Sequence, residues 1–233
     1  MTESLRYQDI KAEKSLADFM DEYLYSRMHT NDGNPLRFAR MQDKESQLKG
    51  IDVCIEADDK RIYIDEKSSL YYSNAMIPTF AFELDSIQRD HAEPVEGWFI
   101  NDELLTEYYM LIWPNIKCEM KNKTWVRKDI GVLRKEDFTI VEAMLIPKLE
   151  LRKRIESFGY GKDRLVEYAK RLRKLYEGDT SQKEEKINDE VKIMYSGRLA
   201  ERPINLVIRK EVLKESAKKI YLISQDGYAT IKE

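Results

Sequence analysis

Between residues 9 and 28, Ile10, Leu16, Phe19, Met20, Tyr23 and Leu24 recur at roughly helical spacing, which predicts one amphipathic helix. The stretch 30–35, TNDGNP, ends it, because Gly and Asn tolerate left-handed backbone and the residue before a proline disfavours helix. Two alternating runs follow, Ile51/Val53/Ile55 and Ile62/Ile64, joined by the turn-like EADDK, and these predict a β-hairpin. In TFAFELDSI, Phe80, Phe82 and Leu84 share one face of a third strand, while Ala81, Glu83 and Asp85 share the other. GWFI reads as a short strand, and YYMLIWP as a strand buried on both faces and stopped by Pro114.

An irregular stretch to Asp137 precedes the strand-like TIVEAMLI. Helices are expected over 148–157 and 163–176, separated by the glycine-bearing reversal FGYGK, and the polar run EGDTSQKEEK reads as a surface loop. The tail reads as a strand, the strand PINLVI, a helix over 210–219 and the strand IYLI.

Composition narrows the possibilities. A chain of 233 residues, 42% hydrophobic, can bury a core, and its length suits one elaborated domain. With 36% charged residues, mean hydropathy of −0.63 and no long apolar window, a membrane span is excluded. The first thirty residues lack an apolar leader core, so the expected compartment is the cytoplasm. Cys54 and Cys118 are too far apart for a CxxC pair and read as core thiols, and His29 and His91 as surface or cap residues. Any metal is therefore expected on oxygen ligands. No GxGxxG, GxxxxGK[ST] or GxSxG occurs.

The formal charge of −3 conceals a gradient: residues 1–116 hold 12 Lys+Arg against 23 Asp+Glu, whereas residues 117–177 hold 17 against 10. An acidic segment before a basic one suits a carboxylate site beside a polyanion-holding surface; solvated helix faces are the alternative. The cations concentrate on the predicted helical pair, with Arg152, Lys153 and Arg154 on the first helix and Lys170, Arg171 and Lys174 on the second. These six form a candidate nucleic-acid clamp acting on phosphates, without base reading.

The hairpin carries the chemistry. The two-residue period puts Asp65 and Lys67 on one face of the second strand and Ile62, Ile64 and Glu66 on the other, so pairing brings Asp52, Asp65 and Lys67 together. Two carboxylates within reach of one hard cation, with an ammonium beside them, suit phosphodiester hydrolysis: the metal polarises the phosphate and acidifies a water, which the lysine positions or deprotonates.

Asp52, twelve intervening residues, then Asp65-Glu66-Lys67, preceded by an amphipathic helix, resembles the PD-(D/E)xK nuclease superfamily. The resemblance covers residues 9–114. It implies an α/β (α+β) fold: a restriction-endonuclease-like core of central mixed β-sheet flanked by helices, over 1–116. Residues 117–233, beyond the resemblance, are expected to form a basic helical hairpin and a C-terminal α/β extension packed on that core. The resemblance implies a Mg²⁺- or Mn²⁺-dependent endo- or exonuclease in which Asp52 and Asp65 are metal ligands, Lys67 is the catalytic lysine and the Glu66 main-chain carbonyl reaches the metal. Glu13 and Glu22 on the first helix are candidates to complete the site, Glu22 the preferred one, and Glu83 is a further candidate ligand. The partner it implies is nucleic acid, DNA before RNA, with a homodimer compatible. The alternative is a catalytically inactive binding or interaction module on the same fold. Three features depart from the family pattern: Gly50-Ile51 replaces the name-giving proline, Glu66 sits where an apolar residue is usual, and SLYYSNAMIP is a poor helix after the lysine.

Tyr71 and Tyr72 are candidate base-stacking residues, whereas Tyr108, Tyr109, Trp98, Trp113 and Trp125 are assigned to packing. Lys49 is expected to be a solvated loop lysine beside the site.

Overall fold

A computed structural model describes residues 2–30, 32–57, 60–88 and 93–232, with side chains from residue 10 onward. His91 and the hairpin-turn residues Asp58 and Asp59 lie outside the described residues. The first part of the chain runs α1 (Thr2–Tyr23), β1 (Arg37–Arg40), α2 (Lys44–Leu48), β2 (Val53–Ala57), β3 (Lys60–Ser68), β4 (Thr79–Ser86), β5 (Val95–Glu96) and β6 (Tyr108–Ile116). It continues with β7 (Cys118–Lys121), β8 (Thr124–Arg127), β9 (Phe138–Pro147), α3 (Lys148–Ser157), α4 (Lys162–Leu175), β10 (Gln182–Lys186) and β11 (Val191–Ser196). The last elements are β12 (Ile204–Arg209), α5 (Lys210–Ser216), β13 (Lys219–Ser224) and β14 (Gly227–Lys232). The protein is thus mixed α+β. Among the described residues no helix is long and apolar enough to cross a membrane.

The chain forms two compact units, drawn from interleaved segments rather than from a cut at 116/117. The first comprises residues 1–77, 106–147 and 217–233, the second 78–105 and 148–216. The reason is strand pairing: β9 and β13 hydrogen-bond into the same sheet as the hairpin, whereas β4 pairs with β12.

In the first unit a seven-stranded mixed sheet has the order β1-β2-β3-β6-β9-β13-β14. β1, β2 and β3 form an antiparallel meander, and β6 then joins β3 in parallel. One face is covered by α1, whose Leu16, Phe19 and Met20, with Leu24 just after it, pack in one cluster with Val53, Ile64, Met110, Val141 and Ile223. Phe19 meets Phe138 at 5.6 Å between ring centroids. As the unbroken apolar run of β6 requires, residues 109–114 are buried throughout.

In the second unit a five-stranded sheet has the order β10-β11-β12-β4-β5, antiparallel throughout. Phe80, Phe82 and Leu84 are buried, as their alternation requires.

Several expectations need correction. TFAFELDSI does not continue the hairpin; β1, built on RFAR, completes the meander and escaped notice because only Phe38 and Ala39 are apolar there. GWFI is a turn, with the short strand one step earlier at β5. QKEEK is strand β10, whose charged residues alternate at a sheet edge rather than forming a loop. The "irregular" stretch contains the β7–β8 hairpin. Pro114 does not end β6: the register shifts between Pro114 and Ile116, and a proline is tolerated where a ladder hydrogen bond is already missing. β14 was not anticipated, and the first helix is α1 plus a 3₁₀ turn over Tyr25–Arg27.

Candidate metal centre

Asp52 lies one residue before β2, and its backbone is held from both sides. Its N–H donates to Ile64 O at 2.9 Å, and its carbonyl accepts from Met41 N–H at 2.8 Å. The approach to it is a turn: Asp43 caps α2 by accepting from Ser46 N–H at 2.8 Å, and Gly50 takes φ +69°, a left-handed conformation that a proline could not adopt. Thr106 Oγ1 donates to Gly50 O at 2.6 Å and fixes the turn. The Gly50-Ile51-Asp52 sequence thus delivers the carboxylate with no proline.

The pairing of β2 with β3 brings the expected residues together. Asp52 Oδ2 accepts from the Glu66 backbone N–H at 2.8 Å, and Lys67 Nζ donates to Asp65 Oδ1. The same Nζ lies 3.4 Å from Glu66 O, so that carbonyl faces the cluster. Asp65 is almost wholly buried, its side chain 3% exposed against 29% for Lys67. Burial pushes the Asp65 carboxyl up to about 7; Lys67 opposes this and the Asp52 carboxylate adds to it. For Lys67, burial alone would lower the pKa, but Asp65 and Asp52 outweigh it and the ammonium is raised.

Glu66 points to the other face, as the alternation requires, and its unusual placement has an explanation. Arg40 Nη1 donates to one carboxylate oxygen at 2.7 Å and Tyr25 Oη to the other at 2.8 Å. Arg40 also grips Asp21 through Nε at 2.8 Å and Nη2 at 2.7 Å. Burial raises the Glu66 pKa, with Arg40 opposing, and Arg40 itself is held charged against burial by Asp21 and Glu66. The sequence offered one signal for this network: a carboxylate on a core face requires a buried cation.

Not every candidate joins the cluster. Glu22, the preferred helix ligand, is 45% exposed and paired with Lys135. Glu13 is the α1 carboxylate whose charge bears on Lys67. Glu83 belongs to β4 of the second unit, where it accepts from Ser86 Oγ at 3.2 Å. Lys49 pairs with Glu45 at 2.5 Å on the surface. Among the described residues, no group of three or more His, Cys, Asp or Glu side chains is gathered to hold a metal ion. The candidate donor set is two carboxylates and a main-chain carbonyl, from Asp52, Asp65 and Glu66. It suits Mg²⁺, which keeps several waters and takes one or two carboxylates, and the mutual repulsion of Asp52 and Asp65 is what a cation would relieve.

The six candidate clamp residues lie on α3 and α4, but four are occupied. Arg152 pairs with Asp102 at 2.5 Å, Lys153 with Glu150 at 2.9 Å, Arg154 with Glu215 at 2.9 Å and Arg171 with Glu185 at 2.6 Å. Lys170 and Lys174 line a cleft of about 810 Å³ whose walls also carry Asp85, Glu93, Glu96 and Glu177. Positive and negative groups both line that cleft.

Cys54 is buried as expected but Cys118 is exposed. Tyr109 is fully buried and Trp113 nearly so, whereas Trp125 is 67% exposed and is not a packing residue. No family model matches the chain, and neither a curated protein nor a solved structure was found to be similar to it.

Proposed function

We propose that the chain is a metal-dependent nuclease hydrolysing phosphodiester bonds of DNA or RNA on a restriction-endonuclease-like core. The carrying observation is the convergence of Asp52, Asp65 and Lys67, with a buried Asp65, a half-buried Asp52 and a lysine that reaches solvent. The order helix, antiparallel meander, then a parallel fourth strand also supports it. Asp52, Asp65 and the Glu66 carbonyl would hold Mg²⁺ or Mn²⁺. When bound, the ion supplies positive charge that polarises the phosphate and acidifies a water.

The remaining work falls to the chain's own residues. Lys67, hydrogen-bonded to Asp65 and reaching solvent, orients and neutralises a phosphate oxygen. Asp52, tied to the Glu66 N–H, keeps a fixed oxygen toward β3. The Arg40–Glu66–Tyr25 network holds the strand from its opposite face, so Asp65 and Lys67 are presented without freedom to rotate away.

A second reading, a non-catalytic nucleic-acid-binding module, is favoured by the limit of two gathered carboxylates. Calorimetric titration with Mn²⁺ separates the two. The nuclease reading expects binding that Asp52→Asn and Asp65→Asn each weaken at least tenfold. Absence of binding at millimolar Mn²⁺, with nucleic-acid binding intact, would establish the module.

A further inference from the structure

The β7–β8 hairpin forms a two-stranded sheet of its own. Its cross-strand pairs put Cys118, Met120, Trp125 and Arg127 on one face. Met120 and Trp125, directly opposite each other, are 61% and 67% exposed. A tryptophan ring left in solvent on a hairpin is an unused stacking surface. Its surroundings are cationic: residues 117–128 hold five Lys and Arg against the single carboxylate of Glu119, which is tied to Lys121 at 2.7 Å. Lys123 and Arg127 form no ion pair among the described residues.

The hairpin tip carries a second signal. Asn122 and Lys123 take φ +49° and +65°, as a two-residue turn with both central residues left-handed requires. Glycine is favoured at such a position, and a lysine there is strained by about 1 kcal/mol or more. The strained lysine sits at the hairpin tip, two positions before Trp125.

The platform is fixed to the segment that follows the Asp65/Lys67 strand. Arg127 Nη1 donates to Tyr71 O at 2.5 Å, and Asn74 bonds both backbone groups of Ile116, accepting from N–H at 2.7 Å and donating to O at 2.9 Å. Tyr71 and Tyr72, 55% and 59% exposed, begin only four residues after Lys67.

We propose that this hairpin face binds single-stranded DNA, with an unpaired base stacked on Trp125 and the flanking phosphates met by Lys123 at the tip and Arg127 on the same face. Exposed aromatic faces interleaved with cations match an unpaired strand, whose bases are free to leave their neighbours and stack on protein. A duplex keeps its π-faces covered. Met120 supplies an apolar neighbour for the thymine 5-methyl group, which uracil lacks. The proposal rests on the nuclease reading for the fate of the bound strand, not for the binding itself.

The test uses the full chain in EDTA, so that nothing is cut. An oligothymidylate of about 15 nucleotides is titrated while tryptophan fluorescence and anisotropy are read. Trp113 is nearly buried and Trp125 open, so stacking is expected to quench emission. Trp125→Ala should remove the quench and weaken binding by between about five- and a hundredfold, as loss of one stacked base requires. Trp125→Phe should keep most of the affinity. Lys123→Gly relieves the backbone strain, so its fold is safe, and it should lower the logarithmic salt slope by about 0.7. Unchanged affinity in Trp125→Ala would overturn the proposal, as would equal or tighter binding of blunt duplex or of oligouridylate. A bound strand that is never cut with metal would leave the platform standing and remove the nuclease, whereas Asp65-dependent cleavage with an indifferent Trp125 would do the reverse.

Discussion

Replacing Asp65 by asparagine tests the electrostatics of the candidate centre without reference to any substrate. The side chain is 3% exposed, and burial together with Asp52 lifts its pKa from 3.8 to about 7. A carboxyl whose pKa is higher in the folded than in the unfolded state binds its proton more tightly when folded. Its favourable contribution is therefore complete below about pH 4 and is lost as pH rises toward 7. The lift corresponds to about 4 kcal/mol of stability withdrawn at pH 8. Protonated Asp and Asn are close in shape, so wild type and Asp65→Asn should unfold at similar urea concentrations near pH 4. By pH 8 in EDTA the variant should be the more stable, by up to about 4 kcal/mol. The difference between the two proteins cancels the opposite trends of Asp102, Asp137 and Asp179, whose pKa values are lowered. Added Mn²⁺ should then stabilise the wild type and not the variant, because a ligand of the native state stabilises it. Parallel pH profiles, or a wild type that gains on the variant as pH rises, would refute the reasoning.

Two further outcomes follow from the ion pairs. Arg40→Met leaves the largely buried Glu66 and the half-buried Asp21 without their guanidinium and should cost about 3–5 kcal/mol in chemical denaturation, a loss that adding Glu66→Leu should largely relieve. Neutralising Arg152, Lys153, Arg154, Lys170, Arg171 and Lys174 together should move the logarithmic salt slope of duplex DNA binding by no more than about 2. Six independent phosphate contacts would move it by about 5, and that result would show that the acidic partners of α3 and α4 release their cations on binding.

The alternation Ile62/Ile64/Glu66 against Asp65/Lys67 was legible because a strand has one period and a hairpin has one pairing partner nearby in sequence. The meeting of Asp52 with β3 followed from local geometry. What was not legible depended on long-range pairing. β1 carries only two apolar residues, and the partners of its Arg40, Asp21 and Glu66, come from a helix and from a strand 26 residues further on. TFAFELDSI has a correct alternation, but its partner β12 begins more than 100 residues later, and nothing in the segment names it. The charges of α3 and α4 were visible, whereas their neutralisation by Asp102, Glu185 and Glu215 required the fold. Trp125 was misread because a tryptophan between valine and threonine has the composition of a packed strand, and only an isolated hairpin leaves it open.

Cleavage of labelled single-stranded, duplex and branched DNA and of RNA, with Mg²⁺ or Mn²⁺ at neutral pH, tests the central claim most directly. Wild type should cut at least one of these substrates and stop on addition of EDTA. Asp65→Ala should abolish the cut, and Lys67→Met should slow it by about a hundredfold or more, as loss of a positioned charge-stabilising group does. Failure to cut any of them, or cleavage that persists in Asp65→Ala, would contradict the assignment of Asp52, Asp65 and Lys67 as a nuclease centre.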